Sequence, residues 1–249
     1  MRQAIVPFLG LLILTSAGSS ARADDREAAL GVITDTIRVD GGEDRLARCR
    51  NMVRNARGTF FFFGKDVKFT TQLILEFPDR LRDMIEVEQE GQKVRILRVV
   101  TRDGAWTSTG GAAAQMNKPE ADELREEMYV LWLTTLVPLR DAAFQLAVLP
   151  ESKVDGRPAA AIKVSRAGHP DVKLHFDKQT KRLAKLERQA REVGLVVNKE
   201  YVFSEPRDFE GVTRATRQLE FAAGKKTTEL LVTSFAFPGK VEENTFAKP

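Results

Sequence analysis

Residues 67–77 of the chain read VKFTTQLILEF. From Val67 to Phe77 every second side chain is apolar or a threonine, whereas polar side chains occupy most of the positions between them. This period of two is typical of a β-strand that has one face on a core and the other in water, because successive strand side chains point to opposite faces. The stretch therefore predicts a half-buried strand of an antiparallel sheet.

Similar segments lie on both sides of this strand. The aromatic run Phe60–Phe63 precedes it and would load both faces of a strand, so at least one of those faces should be covered. Later segments alternate in the same way and are separated by turn pairs such as Pro78-Asp79 and Glu90-Gly91. Together they predict roughly ten strands at hairpin spacing, which indicates a large antiparallel sheet or barrel.

One strong helix interrupts the strands. Pro119 suits a first helical turn, and the acidic residues that follow it match the positive end of a helix dipole. Pro138 ends or kinks the helix. Its predicted apolar stripe consists of Leu124, Met128, Leu131, Trp132 and Leu136.

The remaining helical segments are weaker. Residues 24–38 predict a helix that Gly41-Gly42 ends, and a second short helix would carry Leu46, Met52 and Val53. Residues 110–117 are predicted to form a small-residue linker, and another short helix would carry Phe144 and Leu146.

The first residues have the order of a cleavable secretory signal. Arg2 precedes the apolar stretch 4–17, and Ala21-Arg22-Ala23 supplies a small-x-small cleavage site. The apolar stretch is shorter than the roughly 20 residues that a membrane-spanning helix needs. We therefore expect a signal peptide over 1–23, cleavage after Ala23, a periplasmic or otherwise exported location, and a single domain over 24–249.

Composition narrows the functional classes. The 39 basic and 35 acidic side chains nearly balance, and no basic block indicates a nucleic-acid partner. Cys49 is the sole cysteine, so an internal disulfide is excluded and a buried thiol is expected. No stretch after the signal is long and apolar enough for a membrane span.

No motif indicates an enzyme, a cofactor or a metal. His169 and His175 are the two histidines; one lies in a turn and the other on the polar phase of a strand, so both are interpreted as surface residues. Neither has zinc-ligand spacing, and no Gly-x-Ser-x-Gly nucleophile elbow is present. We predict a protein that is not an enzyme, although carboxylates on any fold can carry hydrolysis and a hydrolase stays the third alternative.

A series of turn motifs resembles a known family. The segments that carry this resemblance, in chain order, are Gly41–Leu46, Phe77–Arg82, Asp103–Trp106, Val154–Arg157, Phe176–Thr180 and the tail from Phe237 to Pro249. Their order, with one central helix inside a series of strands, resembles the LolA/LolB-like family of periplasmic lipoprotein carriers. The resemblance implies an α+β, β-dominated fold: an unclosed antiparallel half-barrel whose concave face is covered by helices and which holds acyl chains or other apolar groups.

One position departs from the family pattern. Phe77 stands before Pro78, where the carriers have an arginine that hydrogen-bonds to the lid helix. A latch from that position is not expected here, and a relative with another ligand on the same scaffold stays an alternative.

An uncovered half-barrel would expose an apolar face, so the central helix is the natural cover. We predict an apolar ligand site lined by Phe61, Phe63, Phe69, Leu73, Trp106, Met128, Leu131, Trp132 and Leu136. The expected ligand is a lipid or a lipoprotein acyl chain, and the expected function is that of a carrier in the cell envelope. Two alternatives stay open: these side chains form a dry core, or the domain is an envelope sensor that binds a membrane-protein partner.

Overall fold

The computed structural model describes residues 17–62, 64–89, 91–192 and 194–249. The predicted site residue Phe63 and residues 1–16 of the predicted signal peptide lie outside the described residues. The first helix, α1, spans Ala17–Val39 and crosses the predicted cleavage site after Ala23. The cleavage itself stays a prediction.

Strands dominate the described chain, and they form one sheet. After α1 and the short helix α2 (Glu43–Ala47), the central helix α3 spans Lys118–Leu133. The strands are β1 Asn51–Phe62, β2 Lys65–Glu76, β3 Arg80–Gln89, β4 Gln92–Val100, β5 Ala105–Thr109, β6 Ala112–Gln115, β7 Gln145–Val154, β8 Arg157–Arg166, β9 His169–Asp177, β10 Leu183–Glu192, β11 Leu195–Phe209, β12 Val212–Ala222 and β13 Lys225–Ala236.

The sheet contains 13 strands in the order β6-β5-β4-β3-β2-β1-β13-β12-β11-β10-β9-β8-β7. All neighbouring strands are antiparallel, and the two ends, β6 and β7, do not pair with each other. The architecture is thus the predicted β-dominated, unclosed half-barrel, with helices on its concave face.

Strand β2 confirms the alternation on which the fold prediction rests. Phe69, Leu73 and Leu75 are buried on its concave face, whereas Lys68 and Thr70 are exposed. The inward phase is buried because the sheet curves around the central helix and the apolar core.

Three segments differ from the sequence interpretation, and the first two of them account for the higher strand number. The predicted linker 110–117 holds β6, whose exposed small residues are held by backbone pairing to β5. The predicted short helix around Leu146 is strand β7, in which Leu146 lies opposite Val164. Met52 and Val53, assigned to a helix, lie in β1. Short apolar runs fit a helix or a strand equally well, and here pairing with a neighbouring strand decides.

Helix α3 crosses the concave face and contacts β4 and β10. Asn117 caps it, because its side-chain oxygen accepts a hydrogen bond of 3.0 Å from the backbone N–H of Glu120. The helix ends at Leu133, earlier than predicted, and Leu136 has a positive φ of 68° in the turn that follows. The buried side chains Leu124, Met128 and Leu133 face the core.

Two further contacts complete the packing. Helix α1 lies against β7 through the buried Ile33 and Ile37. On the outer face, Phe246 of the C-terminal tail packs with Val99 and Trp106 in a separate apolar cluster. Within the described ranges, no helix is long and apolar enough to cross a membrane.

Candidate ligand-binding site

Two adjoining cavities lie between α3 and the concave face of the sheet. The smaller has a volume of about 110 Å³ and the larger about 290 Å³. Residues that line both are Arg54, Leu131, Thr134, Phe203 and Gln218. The two cavities therefore meet beneath the C-terminal end of α3, around Arg54.

Apolar side chains form much of both walls. The smaller cavity is lined by Phe60, Phe69, Leu73, Ile85, Leu186 and Leu230. The larger is lined by Met52, Leu183, Val232 and Phe235. Walls made mostly of aromatic and aliphatic side chains, with a few polar groups, are typical of small-molecule pockets.

Charged side chains share the concave face with these residues, and strand register explains how they meet. Arg54 of β1 lies opposite Leu73, Leu73 lies opposite Asp83, and Asp83 lies opposite Arg98. Asp83 is buried, accepts a hydrogen bond of 2.7 Å from the Thr71 hydroxyl, and forms an ion pair with Arg98. Burial acts to lower the pKa of Arg98, but the negative charge of Asp83 raises it by more. The Arg98 pKa therefore lies above its ordinary value.

A second charged group lies across the cavity on β10, β11 and β12. The Lys199 ammonium lies 2.7 Å from a Glu220 carboxylate oxygen. Burial raises the pKa of Glu220, and Lys199 opposes that rise. Arg188 lies 2.7 Å from Glu123 of α3. Each of these buried charges therefore has a partner of opposite sign within the chain.

Two arginines differ from that pattern. The Nε of Arg54 is buried and has no hydrogen-bond partner among the described residues. Asp83 and Glu127 act on Arg54 at longer range, and burial lowers its pKa below the ordinary value. Arg214 of β12 donates hydrogen bonds of 3.0 and 3.2 Å to the backbone and side-chain oxygens of Thr134, at the end of α3.

The structure places the predicted site residues in three groups. Phe69, Leu73 and Leu131 line the cavities. The other α3-region residues, Met128, Trp132 and Leu136, belong to the packed core, where Trp132 meets Phe144 edge-on.

Two others lie on the outer face of the sheet. The ring of Phe61 is covered by the Lys226 ammonium at 4.0 Å, and Trp106 packs under the C-terminal tail. Ligand binding by any of the predicted residues stays a prediction.

The sequence interpretation missed the charged residues of the cavity. A signal was present, because Asp83 stands between Leu81 and Ile85 on the apolar phase of β3. Arg54 gave none, since the segment before Phe60 was assigned to a helix and not to the start of β1.

The histidines are less exposed than predicted. His175 is buried, with only 5% of its surface exposed, and its Nδ1 lies 2.8 Å from the Ser152 hydroxyl oxygen. Its Nε2 lies 3.2 Å from a Glu187 oxygen, outside hydrogen-bond geometry, and Glu187 also pairs with Lys185. None of these four side chains lines either of the two cavities.

His169 stacks on the Tyr129 ring at 3.6 Å and contacts Glu126 at 2.7 Å. It thus helps to hold α3 against the β8–β9 hairpin. Among the described residues, no group of three or more His, Cys, Asp or Glu side chains is arranged to hold a metal ion.

Solved structures share this architecture. A domain assigned as an outer membrane lipoprotein-sorting protein from Vibrio parahaemolyticus is 14% identical with a TM-score of 0.56, over 90% of this chain and 97% of that one. A LolA superfamily protein from Nitrosomonas europaea is 10% identical with a TM-score of 0.55, over 88% and 97% of the two chains. The chain has a LolA-like fold.

A DUF1329 family protein from Desulfovibrio piger is similar to the same extent, with 12% identity, a TM-score of 0.56, and 88% and 97% of the two chains covered. No protein-family model and no curated protein sequence matches the chain. The end of α3 is held by the hydrogen bonds of Arg214 of β12 to Thr134, whereas Phe77, which stands before Pro78, is buried in the apolar core.

Proposed function

We propose that the protein is an exported binding protein that carries the acyl chain of a lipid or lipoprotein in the cell envelope. The observation that carries the proposal is the pair of adjoining cavities beneath α3, with aromatic and aliphatic walls. The larger, at about 290 Å³, is close to the lower end of the roughly 300–1,000 Å³ typical of ligand pockets. Each methylene that such a wall removes from water contributes about 0.8 kcal/mol.

The proposal is supported by the LolA-like fold and by the position of the cover. Helix α3 reaches the two cavities with Leu131 and is fastened at its end by the hydrogen bonds of Arg214 to Thr134. The predicted signal peptide agrees with an envelope location.

The test is native mass spectrometry with lipid extraction on protein purified from an envelope fraction, followed by titration with the uncharged apolar dye Nile red. We expect a bound acyl-chain species, and dye uptake after delipidation. Leu131→Gln should weaken dye binding by roughly tenfold, because it places an amide in the wall of both cavities.

Leu97→Gln is the matched control. Leu97 is a half-buried leucine on the outer face of β4, in the cluster under the C-terminal tail. Its change should leave dye binding intact. A protein that carries no lipid and takes up no dye, or equal dye binding by the Leu131 variant and the wild type, would contradict the proposal.

A second candidate is an envelope interaction domain on the same fold. It is favoured by Leu195 and Val196, which are 69% and 59% exposed at the start of β11. The two side chains point to opposite faces of β11, beside the turn of the β10–β11 hairpin, so a partner that grips this end of the hairpin would contact both of them. An empty protein in the mass-spectrometry experiment would favour this candidate.

A further inference from the structure

The larger cavity contains more cationic than anionic charge once internal pairs are removed. Of its three carboxylates, Asp40 pairs with Arg182, Asp177 lies 3.1 Å from Arg157, and the exposed Glu205 forms no ion pair among the described residues. Arg54 and Arg214 also line this cavity.

Neither arginine has a carboxylate partner of its own. The Arg54 Nε is buried without a hydrogen-bond partner among the described residues, and Arg214 donates to the uncharged oxygens of Thr134. Two guanidinium groups thus face one space in which, among the described residues, the exposed Glu205 is the one carboxylate without an ion pair. Asp40, which pairs with Arg182, acts on Arg214 at longer range, as Asp83 and Glu127 do on Arg54.

This arrangement is costly unless something supplies the missing charge. Arg54 as a whole is half-buried, but its buried Nε has lost its hydration without recovering it in a hydrogen bond among the described residues. The other buried cations of the concave face avoid that cost: Arg98 pairs with Asp83, Arg188 with Glu123, and Lys199 with Glu220. The Nε of Arg98 is also buried without a hydrogen-bond partner, but another nitrogen of the same guanidinium pairs with Asp83. Arg54 is the exception in having no ion pair among the described residues, and it lies where the two cavities meet.

We propose that Arg54, assisted by Arg214, binds the anionic head group of a single-chain amphiphile, a carboxylate or a phosphate, whose apolar chain occupies the cavity walls. The planar guanidinium presents paired N–H donors that match the oxygens of both groups. The inference rests on the proposed acyl-chain binding, and it names the class of ligand: an amphiphile with an anionic head, in preference to an uncharged one. The negative Glu127 on the smaller cavity favours placing the head on the side of the larger cavity.

The experiment measures displacement of Nile red from delipidated protein by three ligands with the same chain: dodecanoate, dodecyl phosphate and 1-dodecanol. We expect both anions to displace the dye at concentrations about tenfold to a hundredfold below that of the alcohol, as befits hydrogen bonds to a charged donor. Arg54→Met should remove most of this preference while leaving displacement by the alcohol unchanged, because the methionine keeps the apolar part of the side chain. A preference that survives the substitution, or that is absent from the wild type, overturns the inference.

Arg82→Met is the matched control. Arg82 lies on the neighbouring strand β3 but on the outer face, opposite Ile74 and Val99, so its loss should leave the preference unchanged. Arg54→Lys keeps the positive charge but loses the paired N–H donors of the guanidinium, so it should retain part of the preference for anions. It also serves as a second variant in case the methionine variant does not fold.

The ratio of dodecanoate to dodecyl phosphate separates a fatty-acid head group from a phosphate one. If none of the three ligands displaces the dye, or the dye does not bind, the proposed acyl-chain binding itself fails. Equal displacement by the anions and the alcohol, in contrast, overturns the head-group assignment alone.

Discussion

Asp83→Asn should destabilise the protein markedly, because it removes the charge that compensates a cation inside the half-barrel. The Asp83 side chain is only 8% exposed, and it pairs with Arg98, whose side chain is 30% exposed. Removing one partner of a fully buried pair costs about 3–5 kcal/mol. Because Arg98 retains some access to solvent, we expect about 2–3 kcal/mol. The asparagine oxygen can still accept the hydrogen bond from the Thr71 hydroxyl, so this contact should be kept.

The measurement is the free energy of unfolding from urea titration of the wild type and the variants. Asp171→Asn is the control, because Asp171 pairs with Lys163 at 3.3 Å while both side chains are about half exposed, at 52% and 42%. Such a pair contributes about 0–1 kcal/mol. In the double variant Asp83→Asn with Arg98→Met, no unpaired Arg98 charge remains, so at least half of the loss should be recovered. A cost below about 1 kcal/mol for Asp83→Asn, or no recovery in the double variant, would refute the reasoning.

Two further predictions concern local packing and pH. Gly58→Ala should destabilise by about 1–3 kcal/mol, because its Cβ would lie 2.5 Å from the Glu229 carbonyl oxygen; Gly31→Ala, on the exposed side of α1 with nothing within 4 Å, should instead stabilise slightly. Burial acts to raise the Asp177 pKa, but hydrogen bonds from Thr180 outweigh it and hold that pKa below its ordinary value. The stability from this ionised form is therefore present above about pH 4 and lost as pH falls through the folded-state pKa, so Asp177→Asn should flatten the acid limb of unfolding free energy against pH.

The sheet could be predicted from the sequence wherever one face of a strand is buried and the other is solvated. Strand β2 is such a case, since Phe69 and Leu73 face the core and Lys68 faces water. Strand β6 could not be predicted, because its exposed alanines carry no pattern and backbone pairing to β5 alone holds it. Leu146 was assigned to the wrong element because a short apolar segment fits both helix and strand.

The candidate site was less predictable than the fold, for a different reason. Apolar residues on and just after the central helix were expected to line the cavity. Met128 and Leu136 are instead buried in the packed core. Leu131 lines both cavities because it lies near the C-terminal end of α3, on the side of the helix that faces Arg54. Which member of an apolar stripe faces empty space depends on how neighbouring elements pack, and one sequence does not encode that in a local pattern.

Two arginines inside the half-barrel look alike in the sequence but differ in their contacts. Arg98 and Arg54 both stand on the inward phase of strands that pair through β2 and β3. Arg98 finds its carboxylate in Asp83, so its charge is part of the folded structure and its loss should be read as a change in stability. Both residues have a buried Nε without a hydrogen-bond partner, but Arg54, unlike Arg98, has no ion pair among the described residues. Arg54→Met should therefore leave the free energy of unfolding nearly unchanged or raise it. The same substitution should change which ligands bind. A substitution that changes ligand binding without lowering stability indicates that the charge serves the ligand and not the fold.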